Sequence, residues 1–211
     1  MGISALQRFF VLSALFAAAA FGAHKVEPAG TLPPEAAAYA PLLSEQGIKV
    51  LKPNGGVLME VWFVKAIPGG GSPEENTAFP EVPNGAVLGV VHFPERHSDR
   101  RGQTIKPGVY TMRYSRYPVN GDHMGVAPQR DFALLSVAAK DADPKALPGY
   151  ERLVSMSRVA SGTPHPLVLS IWKEDAAPPA PIEELGEEET VLHTQIGGIH
   201  FAMIIAGVHV G

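Results

Sequence analysis

Glycine and proline punctuate this chain at short intervals, and that punctuation limits what it can fold into. The 22 Gly and 20 Pro of its 211 residues are spread out, and apolar segments of five to nine residues lie between them. Short apolar segments between turn formers read as strands rather than as helices long enough to build a bundle. Strands are expected over residues 48–51, 57–67, 86–93, 109–115, 132–137, 167–173, 190–196 and 199–210. In 57–67 (VLMEVWFVKAI) both alternating faces are largely apolar, Leu58, Glu60, Trp62 and Val64 on one side and Met59, Val61 and Phe63 on the other, which places it centrally. In 109–115, Tyr110, Met112 and Tyr114 alternate with Val109, Thr111 and Arg113, as a half-buried strand requires.

The last two segments flank Gly197-Gly198. Two glycines supply the positive φ that a two-residue hairpin turn needs. The expected register sets Ile196 opposite Ile199, Gln195 opposite His200 and His193 opposite Ala202, with Phe201 and Met203 facing the core. Helical spacing is confined to 150–160 (YERLVSMSRVA) and to one or two turns near 34–40, with Pro34 close to the first helical position. The expected fold is all-β: an antiparallel β-sandwich or jelly-roll-like domain of about eight strands with one or two short helices, the alternative being a β-barrel.

At the N-terminus a single Arg8 precedes an apolar run from Phe9 to about Ala20, followed by the small residues of Ala20-Phe21-Gly22. This is the pattern of a secretory signal peptide over residues 1–22, and the run falls short of the about 20 residues that span a bilayer. An uncleaved anchor is the alternative. Removal of 1–22 leaves 189 residues, takes away Arg8 and no acid, and moves the formal net charge from −4 to −5. Residues 23–47 then form an N-terminal arm with a possible short helix, and 48–211 form one domain with chain enough for a sizeable core. The chain is expected to be secreted or periplasmic, with no membrane span after cleavage. A mild acidic balance offers nucleic acid no basic surface. The absence of Cys removes thiolate chemistry and leaves His, Asp, Glu and Met as candidate metal ligands.

Residues 105–112 (IKPGVYTM) carry a Pro-x-Gly-x-Tyr-like strand start. In this motif, and in the order of an early Trp strand, an apolar strand and a closing hairpin over about 86–211, the chain resembles uncharacterised exported bacterial β-sandwich proteins, the DUF2911 family. The resemblance implies fold and export. It implies no activity.

The stretch 117–132 (YPVNGDHMGVAPQRDF) is the densest in polar chemistry. Asn120-Gly121 signals a turn. Asp122 beside His123 can orient an imidazole, and Arg130-Asp131 is expected to form a local ion pair. Tyr117, Asn120, Asp122, His123 and Arg130 are the candidate ligand-binding loop, with 68–85 as a second long loop of the kind that carries function. The competing reading is a plain connection held by local hydrogen bonds. His193 and His200, diagonal neighbours on one face of the hairpin about 7–8 Å apart at the backbone, are candidate ligands for Zn or Cu together with His123 and His92; two ordinary surface histidines are the alternative. His92, Glu95, His97 and Asp99 form a second titratable group without a known metal spacing. Trp62, Trp172, Tyr114 and Tyr117 are candidates for stacking on sugars, against an ordinary core role. No nucleophile elbow, P-loop or dinucleotide fingerprint is present.

These observations point to an exported binding domain for a small molecule, a glycan or a protein. The alternatives are a His-based metal-dependent enzyme or metal-binding protein, and a structural subunit of a cell-surface assembly joined through edge strands or the N-terminal arm.

Overall fold

The computed structural model describes residues 23–117, 130–185 and 189–207. Twelve strands occur among them. They are β1 (Lys25–Pro28), β2 (Ile48–Leu51), β3 (Val57–Phe63), β4 (Val87–Phe93), β5 (His97–Ser98), β6 (Thr104–Ile105), β7 (Gly108–Arg116), β8 (Asp131–Val137), β9 (Val168–Lys173), β10 (Ile182–Leu185), β11 (Glu189–Ile196) and β12 (Ile199–Ala206). One α-helix, α1 (Tyr150–Ser161), and 3-10 turns at Pro34–Tyr39 and Ala138–Lys140 complete the description. The chain is all-β and antiparallel, as expected. Ten strands share one sheet in the order β1-β2-β3-β4-β7-β8-β9-β12-β11-β10. Its two arcs pack face to face and the continuous strand order bends them into a near-barrel: Phe63 on β3 meets Phe201 on β12, five strands away, with ring centroids 5.6 Å apart.

The alternation read from the sequence decides what lies inside. Tyr110, Met112 and Tyr114 of β7, Ala133 and Leu135 of β8, Leu169 and Ile171 of β9, and Phe201 and Met203 of β12 join one buried cluster. The outward row of β8, Phe132 and Leu134, is covered by Leu153 and Val154 of α1. At the closing hairpin Gly197 and Gly198 have φ of 58° and 84°, and the pairing is the expected one.

The segment expected as an arm is part of the molecule's body. Residues 25–28 form β1 on β2, and residues 29–47 wrap the outside of β3, where Leu43 bridges Val64 and Ser44 N–H donates to Phe63 O at 2.9 Å. Gly47 is required there: a Cβ would stand 2.5 Å from the Trp62 indole nitrogen. The sheet's outer strands come together at a seam, where His24 Nδ1 lies 2.8 Å from Glu184 Oε1 and a cleft of about 350 Å³ opens between Val26, Ile48 and Leu192. Residues 182–185, outside the strands expected from the sequence, form β10, because their backbone completes the ladder on β11 even though three of the four side chains stay exposed.

Beneath the barrel the β5–β6 ribbon folds across the opening. Ile105 is buried, and His97 stacks on Phe93 (centroids 5.0 Å, 16°) and donates from Nε2 to Ile205 O at 2.7 Å. The Pro107-Gly108 turn of the resembling motif sets up Tyr110, whose hydroxyl donates back to Lys106 O at 2.7 Å.

On the outer face of β7, Arg113 is completely buried. Its Nε and Nη2 donate to the two carboxylate oxygens of Asp141 at 2.6 and 2.8 Å. Nη1 donates to Gly85 O and Ala146 O, and Nη2 also donates to Asp143 O. Tyr39 lies 3.2 Å from Nη2 and donates its own hydroxyl to Asp141 O. Thr111 Oγ1 completes the carboxylate's shell at 2.6 Å. Burial alone lowers the guanidinium's affinity for its proton, and the paired Asp141 outweighs it and holds the group above its ordinary range.

Two outcomes follow. Replacing Arg113 by Met strands Asp141 and three carbonyls, and the loss expected on urea unfolding is about 3–5 kcal/mol; a loss near zero would show that the network does not carry the fold. Burial depresses the His97 pKa below its usual value. The unfolded chain therefore binds the proton first, so stability is complete above about pH 6.5 and falls as pH drops through that value toward the lower folded pKa. The thermal midpoint should fall between about pH 7.5 and about pH 5.5, and less steeply in His97→Phe; equal slopes would remove His97 as the cause.

Candidate functional site

The mouth of the barrel, opposite the β5–β6 ribbon, is covered by the loop 68–85. This loop closes on itself, with Gly71 N–H donating to Glu81 O at 2.8 Å and Glu74 N–H to Pro80 O at 3.3 Å. It is also fastened to β7 and β8. Asp131, fully buried, accepts from Tyr114 Oη at 2.6 Å, from Ala78 N–H at 2.8 Å and from the Thr77 hydroxyl. Burial, with the bond to Asp131, holds the Tyr114 phenol protonated far above its ordinary range. Glu74 takes ion pairs from Arg116 at 2.9 Å and Arg130 at 3.3 Å, and Arg130 Nη1 donates to Glu75 O. So fixed, the loop lowers Phe79 into the barrel, against Phe201 (6.0 Å) and Tyr114 (6.1 Å).

Between this loop and the tops of β9 and β12 lies a cleft of about 270 Å³. Ile67, Pro68, Phe79, Val82 and Ile199 give it apolar walls, and Lys173 and Glu81 give it charge. Lys173 pairs with Phe201 across the ladder, so it continues the inward row Leu169, Ile171 of β9 and carries an ammonium group to the barrel's rim. Among the described residues it has no ion pair. Apolar walls with few polar groups are the usual composition of a small-molecule site.

The sequence candidates are distributed differently. Asn120, Asp122 and His123 lie outside the described residues. Tyr117 is buried, packs on Phe132 at 4.3 Å, and its phenol is pushed up to about 12 by burial. Its carbonyl accepts from Arg130 at 2.8 and 3.0 Å, so both residues steady the connection from within. The expected Arg130–Asp131 ion pair does not form. Asp131 opens the inward row of β8 and is taken up by Tyr114 and Thr77, while Arg130 reaches back to Glu74.

His193 and His200 share an outer face, as expected, but they do not share a ligand point. His193 is 6% exposed, with Nδ1 2.9 Å from Glu174 Oε1 and Nε2 3.1 Å from Glu183 Oε2. With a carboxylate at each ring nitrogen, neither nitrogen is open to a metal. His92 sits on β4, far around the sheet, 3.1 Å from Glu60 Oε2. Glu95 pairs with Lys52, His97 bonds Ile205 O, and Asp99 is buried under backbone N–H groups of its own turn, so that group disperses as well. Among the described residues no three His, Asp or Glu converge in a way that could hold a metal ion. Trp62 and Tyr114 are core and cannot stack on a sugar, and Trp172 packs against Val191, Ala202 and Ile204.

No protein-family model, no curated protein and no solved structure matches this chain. The likeness to DUF2911 modules therefore rests on the letters of residues 105–112. Lys173 and Phe79 were missed as site residues because neither belongs to a motif. The available signal was the alternation Leu169, Ile171, Lys173, which extends an inward row to a charge.

Proposed function

We propose that the protein is an exported binding domain whose mouth cleft takes a small amphipathic molecule, an apolar body carrying one carboxylate. The observation that carries this reading is the inward row of β9 ending in an ammonium group that has no ion pair among the described residues, in a cleft otherwise walled by apolar side chains. A single acidic group meets Lys173. Glu81 on the same cleft disfavours ligands with several negative charges. The loop 68–85 forms one wall, and its ties to Asp131, Arg116 and Arg130 keep that wall shaped before a ligand arrives, which lowers the ordering cost of binding. At about 30 Å³ per water-sized unit, the cleft's volume suits a ligand of about the size of phenylacetate. The signal-peptide pattern of residues 1–22 and the resemblance of residues 105–112 to exported modules support export.

Two measurements test this reading. Isothermal titration of the purified protein with phenylacetate should show saturable binding. Lys173→Met should weaken it about tenfold, the scale of one charge-assisted contact, while leaving the much weaker binding of the neutral phenylethanol unchanged. Absence of saturable binding, or equal loss for both compounds, would overturn the site. N-terminal sequencing of protein recovered from outside the cytoplasm of a bacterial host should begin at Ala23; an intact Met1 start would overturn export by cleavage.

A further inference from the structure

The outer face of the barrel carries a second, smaller cavity, under α1. The helix lays its buried row Leu153, Val154, Ser157 and Ala160 toward the sheet. The neighbouring row, Arg152, Ser155, Met156 and Val159, follows the i, i+3, i+4, i+7 spacing of one helical stripe. It looks across a gap of about 150 Å³ at Ser136 near the end of β8 and at Lys140 of the 3-10 turn.

Three independent features of this cavity want the same thing. Ser136 is 2% exposed, yet its Oγ has no hydrogen-bond partner. A buried hydroxyl without a partner is uncommon in a native structure and calls for a specific explanation. Lys140 and Arg152 line the same small space, and neither has an ion pair among the described residues. Of the acids adjacent in sequence, Asp141 is committed to Arg113, and neither Asp143 nor Glu151 forms an ion pair among the described residues. Two positive charges on the rim of one small cavity favour an anion there. Finally, Val159 is 55% exposed on the lip of the cavity, one of the few large apolar side chains left in water among the described residues.

We infer that this cavity is a binding site for a small organic carboxylate. Its oxyanion bridges the Lys140 ammonium and the Arg152 guanidinium and accepts from Ser136 Oγ, while a short aliphatic tail covers Met156 and Val159. At about 30 Å³ per water-sized unit, the space holds about five such units, which suits a molecule of the size of butyrate. The site is separate from the mouth cleft in position and in lining residues.

The test is titration of the purified protein with sodium butyrate at constant ionic strength, with inorganic phosphate and butanol as parallel arms. Butyrate should bind saturably. The double variant Lys140→Gln/Arg152→Gln should lose at least about tenfold in affinity, as expected for removal of charge-assisted hydrogen bonds. Both side chains are exposed, so these variants fold. Ser136→Ala should weaken butyrate several-fold while leaving the unliganded protein's thermal midpoint unchanged or higher, because the hydroxyl it removes has no partner. In Lys173→Met, whose mouth cleft has lost its cation, butyrate should still bind one to one and stay sensitive to Lys140→Gln/Arg152→Gln, which separates failure here from failure at the mouth. Butyrate binding no stronger than that of butanol, or retained in the double variant, overturns the proposal. Binding of phosphate without butyrate overturns the carboxylate assignment.

Discussion

Arg113 ties three distant stretches of chain to the barrel. A guanidinium withdrawn completely from water tolerates no unmet N–H, and the acceptors it finds come from Gly85, Asp141, Asp143 and Ala146, with Tyr39 completing the shell. None of these is its neighbour in sequence. By satisfying one buried cation, the fold fixes the wrapped N-terminal segment, the end of the loop 68–85 and the connection from β8 to α1. That last connection carries Lys140, so the mouth cleft and the cavity under the helix both lean on the same network.

The barrel divides the chain's chemistry by direction. Inward rows are apolar until they reach an end, where Asp131, Tyr114 and Lys173 appear. Asp131 is spent on holding the mouth loop, and Tyr114 is spent with it. Lys173 is left over. Outward rows are apolar only where something covers them: the segment 29–47 over Trp62, and α1 over Phe132 and Leu134. The β5–β6 ribbon closes the far end with Ile105 and with His97, stacked on Phe93 and with its pKa lowered by burial. Among the described residues, His92, His97 and His193 are each matched to a carbonyl or carboxylate of their own rather than to one another.

Legibility in the sequence followed how local each cause is. The closing hairpin was readable residue by residue, because Gly197-Gly198 sets the turn and the turn sets the register of Ile196 on Ile199. The helical spacing of 150–160 was likewise readable, and a helix runs over Tyr150–Ser161. The strands β1, β5, β6 and β10 were not readable. They are two to four residues long, largely polar, and extended only because a neighbour offers a ladder. Of the proposed site, the loop 68–85 was visible as a long polar connection. Its partners were not: Glu74 reaching Arg116 and Arg130, and Asp131 turning away from the adjacent Arg130 toward Thr77, depend on strand direction rather than on proximity along the chain.

By itself the sequence determined that this chain would be β-structured and antiparallel, that the faces of its longer strands would be sorted, and that its last two strands would meet in one register. These follow from turn chemistry and a period of two, both of which act over a few residues. Only the tertiary structure decided that ten strands bend into one near-barrel, that Arg113 gathers its acceptors, and that Lys173, Lys140 and Arg152 are left facing clefts. Those outcomes require contacts between residues dozens of positions apart, and no local preference encodes which distant carboxylate a given cation will find.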